Sequence, residues 1–349
     1  MPVDVVQWAE IADGFKDTLI VGNGGSIAFN SKLNYKSLYA YGCKEKLISE
    51  PAQQVFQQFS KEQSDFERVL YRLWQADFIN TKFEVSKYER QKVRKAYTDV
   101  RRALINTVRG VHPDSADYVF DSKLLNIGRY LSRFSCVLSL NYDLIIYWAL
   151  LEARSTRSGD FKDGWYRKPS HQPSSKVKQL LFAYDDFVYS ATGYTSVYYP
   201  HGNLALYQTK SGKESKLTSS GKSLLETITK FWADNDGQPL FVCEGSSEAK
   251  MMSISSSEYL SHVFQKVLPA RKQSVTIYGW GLGKQDAHIL GQLKKSGCAK
   301  AAISIYLKDK SQAKIQKEID EITTTLGDKA DIADVVFFDA SSPCCWINP

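Results

Sequence analysis

Residues 18–29 read Thr18-Leu-Ile-Val-Gly-Asn-Gly-Gly-Ser-Ile-Ala-Phe29. An apolar, β-branched run ends at Gly22, a small polar turn follows, and Ile27-Ala28-Phe29 resumes an apolar pattern. This predicts a strand, a tight turn and a helix start. Small residues at Gly22, Asn23, Gly24 and Ser26 let backbone N–H groups approach an anion, and a helix start adds partial positive charge. Turns of this shape therefore cradle phosphates. The full G-x-G-x-x-G is absent, and an ordinary strand-to-helix turn with a serine cap fits the same residues. Both readings stay open on this segment alone.

Working outward, the same rhythm recurs. Phe134-Ser-Cys-Val-Leu-Ser-Leu-Asn141 reads as a buried strand running into Asn141-Tyr142-Asp143, and Leu144–Leu151 follows as an apolar helix. Thr195–Tyr199 is a strand leading to Pro200-His201-Gly202-Asn203, and Pro239–Cys243 is a further short strand before Glu244-Gly245-Ser246-Ser247. Residues 257–268 read as a helix. Ser274–Tyr278 is a strand before Gly279-Trp280-Gly281-Leu282-Gly283, with Asp286 and His288 opening the next helix. Residues 301–307 and 333–338 are strands and 311–326 a helix. Apolar strands alternating with helices imply a parallel sheet covered on both faces, an α/β Rossmann-like fold. The polar turns gather at the C-terminal ends of the strands, where such sheets bind ligands.

Between the first two strands lies a long helical stretch. Phe66, Val69, Leu70, Leu73, Trp74 and Phe78 recur at helical spacing, and Val93, Tyr97, Val100, Leu104 and Val108 mark a second helix over 82–110. The expected organisation is a sheet domain of residues 1–30 and 126–349, interrupted by a helical insertion at 31–125. Residues 82–109 hold nine cations against three anions, a net +6 out of +7 for the protein. A solvated helix face explains this; so does a contact surface for a partner or for phosphates. No aromatic residues interleave on the charged face, which weakens a nucleic-acid role. Residues 154–178, with a net +5, are expected as a loop or lid, and 208–222 as a hairpin or loop.

The chain has 349 residues, 43% hydrophobic and 24% charged, which excludes wholesale disorder. No stretch approaches the roughly 18 apolar residues a membrane span needs. Met1-Pro-Val-Asp-Val-Val-Gln-Trp8 carries no secretory pattern, and six scattered cysteines with no C-x-x-C suit a reducing cytoplasm. Cys344 and Cys345 beside Trp346 suggest a packed tail or an exposed thiol pair.

The four turns Gly22–Ser26, Asn141–Asp143, His201–Gly202 and Gly279–Gly283, in that order, resemble those of the sirtuin-like NAD-binding superfamily. The chain is most similar to an uncharacterised bacterial sirtuin-like family. Asp65-Phe-Glu-Arg-Val-Leu70, Glu244-Gly-Ser-Ser-Glu-Ala-Lys250 and Gln285-Asp-Ala-His-Ile289 add to the resemblance. It implies that Asn141 sits at the nicotinamide ribose and orders water or ribose hydroxyls, that Asp143 holds the nicotinamide carboxamide, and that His201 is the general base. It also implies that Gly22, Asn23, Gly24 and Ser26 line the pyrophosphate and that Gly279 and Gly281 lie near the adenosine half. Asn23, Gly25 and Gly281 depart from the usual residues at their positions.

The residue types suit that chemistry. Nicotinamide leaves as a neutral base from a cationic linkage, through an oxocarbenium-like state, so the leaving group needs no acid. Histidine can activate an acceptor near neutral pH, and an Asn amide can fix a water beside the ribose. Each residue also has a plain structural reading: Asn141 as a helix cap, Asp143 as a first-turn charge, His201 as a turn residue, His288 as a capped helix position. His112 and His171 lie in Pro-flanked loops, and His262 sits in a helix. Deacetylating sirtuins carry a four-cysteine zinc module between the His-Gly turn and the late glycine turn. Only Cys243 stands in that interval here, so no metal is expected and protein deacetylation is disfavoured. The resemblance then points to NAD hydrolysis to nicotinamide and ADP-ribose, in bacteria often an antiphage activity. A non-catalytic NAD or ADP-ribose sensor, and a nucleic-acid-associated protein using helix 82–109, are the alternatives. A homo-oligomer or protein partner is expected through the helical insertion.

Overall fold

The computed structural model describes residues 4–58, 66–111, 118–166, 180–184, 193–209, 211–218, 224–233, 237–242 and 246–349. The strands in chain order are β1 (Val5–Val6), β2 (Thr18–Val21), β3 (Cys136–Ser139), β4 (Phe161–Lys162), β5 (Trp165–Tyr166), β6 (Leu181–Phe182) and β7 (Thr195–Tyr198). They continue as β8 (Gly202–Thr209), β9 (Glu214–Lys216), β10 (Gly237–Phe241), β11 (Val275–Tyr278), β12 (Lys300–Ile305) and β13 (Asp334–Asp339). Eight of them form one sheet in the order β1-β13-β12-β11-β2-β3-β7-β4, with every pairing parallel. The central strands β2, β3, β7 and β11 are buried along their whole length, as their unbroken apolar runs require of a sheet covered on both faces.

The strand order locates the site. From β2 the chain builds outward through β3 toward β7 and β4, then returns to β2's other side at β11 and builds outward again through β12 and β13. The order reverses between β2 and β11, and a crevice opens beyond the C-terminal ends of such a strand pair. The glycine-rich turns Gly22–Ser26 and Gly279–Gly283 follow those two strands.

The helices are α1 (Trp8–Ile11), α2 (Asn23–Phe29), α3 (Tyr35–Lys44), α4 (Glu50–Gln58), α5 (Phe66–Lys82), α6 (Lys87–Val111) and α7 (Tyr118–Leu131). After β3 come α8 (Ile145–Ser155), α9 (Leu224–Ala233), α10 (Ser247–Ser255), α11 (Glu258–His262), α12 (Ala287–Ser296) and α13 (Gln312–Ala330). Helix α6 packs against α3, α4 and α5, while α7, within which residue 126 falls, lies along α8. Basic side chains on α6 are partly paired: Arg94 with Asp77 at 2.8 Å, Lys95 with Asp99 at 2.7 Å and Lys92 with Glu89 at 3.0 Å. Among the described residues no helix is long and apolar enough to cross a membrane.

Three expectations change. The strand at 239–243 does not join the parallel sheet: β10 pairs antiparallel with β8, which also pairs with β9 in a separate three-stranded sheet. The positive φ of Gly202 lets the chain turn out of β7 into that second sheet. The described part of the expected loop 154–178 is ordered: β4 extends the main sheet, and β5 pairs with β6. Residues 257–268 are not one regular helix, because α11 passes into a π-helical turn at Val263–Val267.

At the C-terminus the packed-tail expectation holds for Cys345 and Trp346. Both are buried, and Trp346 stacks on Tyr278 at 5.0 Å, while Cys344 is exposed. The Trp346 Nε1–H donates to the carbonyl of Gly25 at 2.9 Å, so the tail supports the first glycine turn from beneath.

Candidate active site

The two glycine turns touch. Gly22 N–H donates to the Tyr278 carbonyl at 2.9 Å and Gly24 N–H to the Gly279 carbonyl at 2.8 Å. A Cβ at Gly22 would come 2.6 Å from Trp280 Cα, and one at Gly24 2.7 Å from Gly279 Cα. Gly279 has φ +64, and a Cβ there would fall on the Gly25 amide nitrogen and 2.7 Å from the Gly24 carbonyl carbon. Glycine at these three positions is thus required by the close approach of one turn to the other. Gly281 differs: nothing lies within 4 Å of its Cβ position, so this glycine borders open space.

Beside the first turn, Ser26, Asn141 and Asp143 form one buried network. The Asn141 side-chain N–H₂ donates to the Gly22 carbonyl at 3.0 Å and to Ser26 Oγ at 2.8 Å. A carbonyl can only accept, which fixes the amide's orientation. Asn141 Oδ1 accepts no bond from the described residues and is the group's remaining capacity. Ser26 Oγ–H donates to Asp143 Oδ2, and Asp143 Oδ1 accepts from the Ile145 amide at 2.9 Å, capping the first turn of α8. Burial raises the Asp143 carboxyl above its ordinary range, against the hydrogen bonds from Ser26 and Ile145 that favour its charge.

His201 occupies the turn between β7 and β8, almost fully buried. The Leu140 backbone favours the protonated ring, as a carbonyl acceptor does. His288 Nε2 lies 2.9 Å from His201 Nε2, and Ser247 Oγ lies 3.2 Å from His288 Nδ1. Assigning the Leu140 interaction to His201 Nδ1–H makes the donors run one way: Ser247 O–H to His288 Nδ1 and His288 Nε2–H to His201 Nε2. Lys250 Nζ sits 2.9 Å from Asp286 Oδ1, Trp280 Nε1–H donates to Asp286 Oδ2 at 3.1 Å, and Asp286 lies 4.0 Å from His201 Nε2. Burial, reinforced by the Lys250 charge, holds His201 well below its ordinary value. Burial likewise pushes His288 down to about 4. Burial alone would raise Asp286, but the charge of Lys250 and the hydrogen bonds of Lys250 and Trp280 bring it below the ordinary range. Both imidazoles are neutral at neutral pH.

His201, Asp286 and His288 place three ligand-type atoms within 4.8 Å of one another. The donor types are those of a divalent metal, but both Asp286 oxygens already hold protein donors, one of them a buried ammonium. A second cation there would have to displace Lys250. A separate cavity of about 650 Å³ lies along α8 and β4, walled by Tyr147, Trp165 and Tyr194 with Arg154 and Lys162. It does not include the residues of the glycine turns or the histidine pair.

A family model described as "Domain of unknown function (DUF4917)" matches residues 19–346. The chain belongs to the DUF4917 family. No curated protein matches it. A solved structure titled "Structural Basis for the Mechanism and Regulation of Sir2 Enzymes" is similar at 10% identity and TM-score 0.34, over 90% of this chain and 97% of that one.

In this DUF4917 chain the strand ends bring the residues singled out in the sequence to two adjoining places. Gly22, Gly24 and Gly279 meet at the switch point, with Ser26, Asn141 and Asp143 networked beside them. His201 stands one strand further along. Asn23 is partly exposed at the first residue of α2. His288 is not a plain helix position: its ring reaches His201. Lys250, Asp286, Trp280 and Ser247 complete a cluster that the sequence reading did not assemble. His112 and His171 lie outside the described residues, and His262 contacts the rings of Phe182 and Tyr184.

Proposed function

We propose that the chain hydrolyses NAD at the nicotinamide–ribose bond, giving nicotinamide, ADP-ribose and a proton. The observation that carries this reading is the placement of a buried imidazole, His201, and the pinned amide of Asn141 after the adjacent strands β7 and β3. Asn141 Oδ1 accepts from a ribose hydroxyl or the attacking water and orients it. His201 Nε2 takes the proton that water loses as the new C–O bond forms and the C–N bond breaks toward nicotinamide. Asp143, with Ser26, faces the carboxamide, and the open side of Gly281 borders the adenosine half. Water is the acceptor because the zinc module of deacetylating sirtuins has no cysteines to build it here. The biological role proposed with it, by resemblance, is NAD depletion in antiphage defence.

For His201 to act, His288 must release its Nε2, at the cost of one hydrogen bond, about 1 kcal/mol. That occupied nitrogen favours a second reading, an NAD-binding module without turnover. Mass spectrometry of NAD incubated with the protein separates the two. Nicotinamide and ADP-ribose that accumulate with the wild type and not with Asn141→Ala or His201→Ala support hydrolysis. Bound, intact NAD supports the second reading, and neither product nor binding refutes both.

A further inference from the structure

The described charged and hydroxyl groups acting on the two histidines are one ammonium, two carboxylates and one hydroxyl. Lys250 and Ser247 come from α10, Asp286 precedes α12, and Glu248 on α10 acts on His288 alone. Asp286 is the carboxylate that favours imidazolium on both rings, and it lies 4.0 Å from His201 Nε2. It is also the group that Lys250 holds, at 2.9 Å, with both side chains almost fully buried. An uncompensated Asp286 in this buried cluster would draw an extra proton onto the pair, and a pair carrying that proton is a cation and a weaker base toward a substrate proton. We propose that Lys250 is a positioning residue: by holding the Asp286 carboxylate it keeps the His201–His288 pair neutral, sharing a single proton between the two Nε2 atoms. The catalytic consequence rests on the hydrolase reading above; the protonation state does not.

The test uses the full chain labelled with ¹⁵N-histidine, whose five histidines make the ring nitrogens separable by NMR. In the wild type, His201 and His288 stay neutral through the range where exposed histidines titrate. In Lys250→Gln, which keeps a hydrogen-bond donor and loses the charge, titration of the pair moves up by about 1–3 units. In Lys250→Gln/Asp286→Asn it returns to the wild-type range, because the carboxylate charge is gone too. If hydrolysis is measurable, the acid limb of its pH profile moves up in the single variant and back in the double. Loss of turnover in every protein, with the NMR shifts present, refutes the hydrolase reading and leaves the charge relation standing. Should Lys250→Gln fold poorly, recovery by mild acid or by the second substitution supports the proposal. Unshifted histidines in a folded Lys250→Gln protein, a shift that Asp286→Asn does not reverse, or misfolding that neither acid nor Asp286→Asn rescues, overturns it.

Discussion

Two glycines of one turn should respond oppositely to the same added methyl group. Gly279→Ala forces a non-glycine residue to φ +64, the left-handed region, at about 1–2 kcal/mol. Its Cβ also meets backbone atoms of Gly24 and Gly25, which no rotamer change can relieve, for about 1–3 kcal/mol more. The sum is about 2–5 kcal/mol. With an unfolding entropy of about 2.1 cal/mol/K per residue, ~0.7 kcal/mol/K over 349 residues, this lowers Tm by about 3–7 °C. Gly281→Ala lacks both penalties: its φ is not positive and its Cβ position is open. It should leave Tm unchanged, or raise stability by about 0.4–1 kcal/mol by restricting the unfolded chain. If the adenosine half of NAD lies on that open side, Gly281→Ala raises KM for NAD at an unchanged Tm. Calorimetry on both variants, followed by NAD titration, reads the two effects separately. Equal Tm losses would refute the argument that turn-to-turn contact, rather than ligand contact, dictates glycine at 279.

Three further outcomes follow from the same geometry. Acid should destabilise the protein below the ordinary histidine range. His288 titrates at about 4 folded against 6.5 unfolded, so the unfolded chain binds the extra proton between those values, and stability falls by about 3 kcal/mol as pH drops through that window. His201 adds to this, the raised Asp143 carboxyl opposes it above 3.8, and Asp286 acts only below that value. Urea midpoints measured across the window should fall with pH, less steeply in His288→Gln. Ser26→Ala removes the hydroxyl between Asn141 and Asp143 and leaves a buried donor and acceptor unmatched, about 1–3 kcal/mol by denaturation. Nicotinamide release should fall with it, and wild-type stability in that variant would contradict the network. Trp346→Ala empties the space beneath Gly25 and should cost about 3–5 kcal/mol, with NAD turnover reduced in the fraction that remains folded.

The sheet was legible because each central strand announces itself locally: Thr18–Val21, Cys136–Ser139 and Val275–Tyr278 are buried on both faces and read as unbroken apolar runs. The turns after them were legible for the converse reason, since Asn141, Asp143 and His201 are polar groups at the ends of apolar strands. What no local pattern carries is pairing across the chain. Taken singly, Gly24 invites a phosphate reading and Gly279 an adenosine-side one, yet each is glycine because the other is there. Pro239–Phe241 has the composition of a core strand, and only the left-handed turn at Gly202 shows that its partner is β8. Lys250 sits 36 residues from Asp286, and His201 87 residues from His288. Asp286 reads as the charged opening of a helix because helix N-termini favour acidic residues on their own account, and His288 reads as a position in its first turn. The distinction has a chemical basis. A group that touches substrate must interrupt an apolar pattern, and that interruption is visible in one dimension. A group that neutralises another charge only needs a buried partner, and a lysine between Ala249 and Met251 on α10 looks no different from one that reaches water. The electrostatic part of the site is therefore the part that three-dimensional contact had to supply, and on the hydrolase reading it sets whether His201 meets the substrate as a base or as a cation.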